Sequence, residues 1–405
     1  MREEWQSERT GRPQGRENEL RYAANLLLEL AKVGASRNGT RIDMDSEGLR
    51  LGQTVLANRG TLASVFDAVS LRRETISRKF DGHGRFDEAA VSWGCSDPWV
   101  SRLAQKLSKD LAAAGEAEMV PLRELRVIVT HDVDRVTPSE PASILKAISR
   151  YVGAHPASWL RFSEVVKPRL FLRNLERMLD LELRYGVRPW FFMLAGHYGF
   201  SRYSNRYGIR WRLARETIRL IKEAGGEIGL HGSYHARERD SYRAEASLLT
   251  EMTGRPVIAH RNHYLRFDSR KIWSQLERAS IRFDFSLGLT TGMGFRVPIS
   301  GPFHPYDWEA AKTSLVEAVP TIAMDKPWWP DRQEEVLDEL KVLLRAAREV
   351  GGVVAILTHP EMAAVDRRWF DFMTAVFEFC VELGARLDGV LPQVGKVDVL
   401  DRTPL

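Results

Sequence analysis

Apolar residues follow two rhythms along this chain, and the change from one to the other divides it. In residues 1 to about 122 they recur three and four apart, in "LRYAANLLLELAKVGA" and again in "DPWVSRLAQKLSKDLAAAGEAE", which predicts amphipathic helices. From residue 123 short β-branched or aromatic runs take over: "RVIVTHD", "RPWFFML", "EIGLHG", "VIAHRN", "RFDFSLG", "LVEAVPTIA" and "VVAILTH". Helical patterns separate most of them, at 170–186, 215–226, 270–280 and 332–352, and several end on a Gly stop. Strands alternating with helices predict parallel βα units, and this many fit a closed or nearly closed barrel better than an open sheet. Residues 290–312, "TTGMGFRVPISGPFHPYDWEAAK", break the rhythm and read as a long functional loop.

The reactive side chains cluster at the C-terminal ends of the expected strands. His131, Asp132 and Asp134 close the first, and His231 and His235 follow the third. Arg261 and Tyr264 follow the fourth, Asp284 lies in the fifth, and His359 closes the last. In a βα barrel those ends converge on one face. An isolated charge is costly to bury, so such a cluster is paired, exposed or bound to a metal. Asp132 and Asp134 alternate along a strand and point the same way. His231 and His235 are close in space if their segment turns helically. Two imidazoles and a carboxylate make a three-ligand site with an open position, the arrangement of catalytic zinc. An ion held so lowers the pKa of its water from about 15.7 towards about 7, on the order of 12 kcal/mol of easier deprotonation. The plainer reading of the aspartates is a surface turn or helix cap, and an HxxxH pair alone is often incidental.

Charge and composition narrow the partners. Among 405 residues, Lys plus Arg (59) exceeds Asp plus Glu (54) by five, with no concentrated basic patch. Near the N-terminus Arg2, Arg9, Arg12, Arg16 and Arg21 are matched by Glu3, Glu4, Glu8, Glu17 and Glu19, unlike a nucleic-acid arm or a transit peptide. No apolar stretch reaches the roughly 18–20 residues a membrane span needs, and no secretory signal is evident, which predicts a cytoplasmic protein. Cys95 and Cys380 cannot form a disulfide framework, and the sequence does not say whether they pair.

Residues 126 to about 360 resemble the NodB-homology polysaccharide deacetylases, carbohydrate esterases with a distorted (β/α)7 barrel that hydrolyse N- or O-acetyl groups on sugars using a divalent metal. The resemblance rests on five motifs in order: "THDVD", "HGSYH", "RNHY", "FDFS" and "LTH". It implies Asp132 as the base and, in the family's Asp-x-Asp variant, Asp134 as a metal ligand beside His231 and His235; Val133 and Gly232 depart from the usual pattern. It further implies that Arg261 orients the base and that the Tyr264 amide holds the oxyanion, with His263 in place of the usual proline. Asp284 becomes a supporting carboxylate, Leu357 lines the acetyl pocket, and His359 is the general acid. The implied organisation is an α/β protein: a mainly helical or mixed accessory domain at 1–122, then a deacetylase-like barrel at 123–405. The implied metal is Zn²⁺, with Co²⁺, Mn²⁺ or Fe²⁺ as substitutes, and the implied partner is an acetylated sugar or glycoconjugate precursor. Two alternatives stand beside this: an amide hydrolase on a non-sugar formamide or cyclic amide, and a non-catalytic barrel that binds or scaffolds.

Other residues carry two readings. His197 reaches substrate or makes a structural loop bond, and Arg296 holds a substrate anion or folds its own loop onto Asp284. Tyr306 and Trp308 stack on a sugar ring or pack their loop. "PWWP" at 327–330 reads as a packed turn, and His131 as support for the metal or as a buried hydrogen-bonded group.

Overall fold

The structure, a computed structural model, describes residues 13–31, 42–51, 53–77, 79–86, 88, 96–115, 123–136, 168–196, 203, 205–266, 268–325, 332–365 and 368–391. His197, Cys95 and the 327–330 turn lie outside the described residues.

The seven expected strand runs take up β4 (Leu125–Val133), β5 (Trp190–Leu194), β6 (Glu227–Gly232), β7 (Ala259–Asn262), β8 (Phe283–Asp284), then β11 (Glu317–Ala318) with β12 (Thr321–Met324), and β13 (Gly352–Thr358). All pair in parallel, in the order β11-β8-β7-β6-β5-β4-β13-β12. The two edge segments are halves of one run. Residues 317–318 pair with β8, and residues 321–324 pair with β13, so the run bridges both edges and closes the ring. Pro320 explains the break, because it has no N–H to give the ladder. Its carbonyl still accepts from the Ala355 N–H at 2.8 Å. The architecture is therefore a distorted (β/α) barrel with seven strand positions.

Alternation sorts each strand into an inner and an outer set. Ile128, Phe192, Ala259, Phe283, Phe285, Val319, Val353 and Ala355 form a compact interior cluster. Val127, Val129 and Val133 belong instead to the large core shared with the surrounding helices. Asp132 is in register with Ile128, so it points inward at the barrel mouth. His131 has the opposite parity and packs outward, Nε2 at 2.7 Å from Glu182 Oε1 and Nδ1 at 2.7 Å from Thr358 Oγ1. That outward network, on the helix Pro168–Arg184, takes His131 away from the mouth.

Helical spacing places the other layer. The patterns at 170–186, 215–226, 270–280 and 332–352 become helices Pro168–Arg184, Arg212–Glu223, Ile272–Arg278 and Gln333–Val350. The N-terminal part contributes a long helix (Pro13–Leu30), a three-stranded antiparallel sheet (β1 Ile42–Met44, β2 Gly48–Leu51, β3 Thr54–Asn58), and helices at Arg59–Val69, Arg72–Ser77 and Trp99–Ala113. Its buried residues from Leu20 to Leu111 share one apolar cluster with the barrel's outer layer. Polar contacts join the two parts as well: Tyr22 donates to the His304 carbonyl at 2.9 Å, and the Val100 N–H to that of Pro298 at 3.1 Å.

Candidate active site and metal centre

Four strand ends and two loops deliver charged groups to the mouth. β4 supplies Asp132 and, one step beyond its end, Asp134; β6 supplies His231; β7 supplies Arg261; and His359 follows β13. Register aligns them, with His231 opposite Arg261 and Thr358 opposite His131.

Asp134 and His231 meet as strand alternation requires. His231 Nε2 lies 3.2 Å from Asp134 Oδ1 and 3.5 Å from Asp132 Oδ2. The third partner is His263, whose Nε2 is 3.5 Å from Asp134 Oδ1. One ligand atom from each of Asp134, His231 and His263 falls within 4.8 Å of the others, and all three residues are buried. His235 is not in this cluster. The reason is local: His231 ends a strand, three residues intervene, and His235 caps the short helix Ala236–Arg239, so the spacing of four never becomes one helical turn. Its ring packs on Tyr234 instead, with centroids 5.0 Å apart.

The donor set fits a divalent cation. A carboxylate and two imidazoles suit zinc and related metals. The His231 Nδ1 lies 3.0 Å from the Arg261 carbonyl, an outer bond that fixes the tautomer and turns the Nε2 lone pair toward the aspartates.

Arg261 is fully buried and distributes its donors around the barrel interior. Nη1 bonds Asp132 Oδ1 at 2.9 Å, Nη2 bonds Thr130 Oγ1 at 2.8 Å, and Nε bonds the Phe285 carbonyl at 3.0 Å. Its guanidinium also sits 4.6 Å from the centre of the Phe192 ring. Burial pushes the Asp132 carboxyl up, but His231, Arg261 and His359 together outweigh burial and hold it below the ordinary carboxylate range. Asp132 is thus an ionised carboxylate with one oxygen still facing His231. Val133, the departure between the two aspartates, points into the outer core, and its carbonyl accepts from Tyr207 Oη at 3.0 Å.

His359 is oriented by a residue the sequence reading missed. Its Nδ1 is 2.5 Å from Asp325 Oδ1, and its N–H donates to Asp325 Oδ2 at 2.7 Å, leaving Nε2 3.9 Å from Asp134 Oδ2. Asp325 immediately follows β12, so it carried the same signal as the other strand-end acids.

The remaining expected residues take these places. Asp284 is buried on His260 Nδ1 (2.8 Å) and Ser286 Oγ (2.8 Å). Gly232 is explained here, since a Cβ would come within 2.5 Å of His260 Nε2 and 2.8 Å of Tyr242 Cε1. Leu357 is buried beside Thr130, its pairing partner. Tyr264 has left-handed backbone (φ 61°), as does Leu265 (φ 50°), each costing on the order of 1–2 kcal/mol for a non-glycine residue. Three others are used in packing. Arg296 forks onto Glu74 at 2.9 and 2.7 Å, and Tyr306 and Trp308 lie edge-on to Phe66, with the Trp308 Nε1 donating to the Ser70 carbonyl at 2.8 Å. These contacts engage all three in packing, and the carboxylate that holds Arg296 is Glu74 rather than the expected Asp284.

No protein-family model matches the chain, and no curated protein matches it by sequence. Solved structures do overlay on it. A Mycobacterium smegmatis protein assigned as a polysaccharide deacetylase is 18% identical, with 66% of this chain and 87% of that one covered at a TM-score of 0.43. A chitin deacetylase from Colletotrichum lindemuthianum is 14% identical, with 70% and 95% covered at 0.37. A 4-alpha-glucanotransferase from Thermococcus litoralis overlays as well, 12% identical, with 63% and 37% covered at 0.37. Among the described residues no helix is long and apolar enough to cross a membrane.

Proposed function

We propose that this protein is a metal-dependent hydrolase that removes an acetyl group from an N- or O-acetylated sugar or glycoconjugate. The observation that carries the reading is the buried Asp134–His231–His263 cluster, flanked by an Arg261-held carboxylate and an Asp325-held imidazole. Asp134, His231 and His263 would hold the cation. When bound, it supplies Lewis acidity, which acidifies water and polarises an acyl oxygen.

The chain's own groups then divide the proton traffic. Asp132, kept ionised by its surroundings, accepts the proton of the attacking water. Arg261 holds that carboxylate in place through Nη1. The Tyr264 amide receives the negative charge that develops on the acyl oxygen. His359, its Nδ1 directed at Asp325, presents Nε2 to the leaving nitrogen or oxygen, and Asp325 stabilises the imidazolium it must become. Leu357 and the aromatic interior keep the acyl end dry. We place His197 among the groups that contact the sugar. The test is product analysis on a panel of N- and O-acetylated sugars with and without chelator: released acetate that chelation abolishes and Zn²⁺ or Co²⁺ restores is expected. Acetate release indifferent to chelator refutes the metal, and no release from any panel member refutes the deacetylase.

A further inference from the structure

Residues 80–86 belong to the N-terminal part of the chain, yet they end on the loop that follows β7. The turn is self-contained. Phe80 and Phe86 form an antiparallel bridge, and Asp81 accepts from the N–H groups of His83 and Arg85 at 2.8 and 2.9 Å and from Arg85 Nε at 2.7 Å. Two of its side chains reach Tyr264. The His83 ring stacks on the Tyr264 ring at 4.8 Å and 27°, and Arg85 Nη1 donates to the Tyr264 carbonyl at 3.2 Å. The barrel reaches back: Arg266 Nε donates to the His83 carbonyl at 2.6 Å, and Arg237 Nη1 to that of Gly84 at 3.2 Å. His83 Nδ1 also lies 3.1 Å from Tyr234 Oη, on the loop beyond His231.

The backbone being held is the one that needs holding. Tyr264 and Leu265 are consecutive left-handed residues without glycine, a state that persists only where the surroundings impose it. The residue before them, His263, faces Asp134. We infer that residues 81–85 are a clamp on the active-site loop, with Arg85 a positioning residue that fixes the direction of the Tyr264 amide and the reach of His263. What the amide does in turnover rests on the deacetylase reading; the clamp itself does not. The N-terminal part thereby completes the site.

Arg85→Ala separates these two layers. Hydrogen exchange at amides 264–266 is expected to accelerate about tenfold, the signature of a locally released segment. With para-nitrophenyl acetate, whose leaving group needs no proton and carries no sugar, kcat is expected to fall about tenfold with KM within about twofold. His83→Ala, which removes only the stack, should move both readouts the same way by less. Unchanged exchange at these amides overturns the clamp, and faster exchange with unchanged kcat overturns its role in positioning. The exchange arm needs no substrate, so it decides the clamp even if the wild-type protein hydrolyses nothing, a result that would sink the functional reading alone.

Discussion

Two buried arginines, Arg261 and Arg296, meet carboxylates in this protein and use them differently. Arg296 spends its fork on Glu74, with both oxygens occupied, and its remaining nitrogen on the Gly288 carbonyl at 3.1 Å. That pair rivets the 290–312 loop to the helix Arg72–Ser77, and farther along the chain Glu88 holds the start of the same loop, accepting from the N–H and hydroxyl of both Thr290 and Thr291 at 2.7–3.0 Å. Arg261 gives Asp132 a single bond and sends its other donors to Thr130, Phe285 and Thr321. Asp132 is left ionised with an oxygen turned to the imidazoles. A saturated buried pair serves the fold, and an unsaturated one beside histidines is available for chemistry.

That contrast is sharpest under substitution. Asp132→Asn keeps the shape and the Arg261 contact but removes the proton acceptor, so kcat should fall by about 10²–10⁴ while bound metal, measured by elemental analysis, is retained. Full activity in this variant would dissolve the distinction between the two pairs. Glu74→Ala strands the Arg296 charge and should cost about 3–5 kcal/mol in urea unfolding, with kcat of the folded protein unchanged. Replacing both Glu74 and Arg296 by apolar residues of similar volume should recover most of that loss, which a charge used in catalysis would not allow. Asp325→Asn should lower kcat about tenfold to a hundredfold on an N-acetyl sugar, and much less on para-nitrophenyl acetate, because only the amine leaving group needs the His359 proton. The smallest effect is expected at Cys380: burial pushes its thiol up to about 12, so a thiol reagent near pH 8 should label it only after unfolding.

The barrel was legible because short apolar strand runs, buried on both faces, alternate with helical patterns along the chain. That Asp132, Asp134, His231, Arg261 and His359 would meet at one mouth was legible because each falls at a strand end, where parallel βα units converge. The run 315–323 reads as one strand in sequence, and only pairing reveals that Pro320 lets it serve both edges. That His263 rather than His235 lies beside Asp134 and His231 was hidden, since a spacing of four suggests a helical turn that the strand end at His231 forbids. Arg296, Tyr306 and Trp308 were ambiguous because a charged or aromatic loop residue has the same sequence signature whether it meets substrate or Phe66 and Glu74. The clamp at 81–85 had no local signal at all, because its partners lie 151 to 183 residues away.

The most direct test is anomalous diffraction at the zinc edge from crystals grown with Zn²⁺. The account predicts one ion ligated by Asp134, His231 and His263, with Asp132 beside it and His235 turned away. An ion held by His235 in place of His263, or a site that binds none, would contradict it.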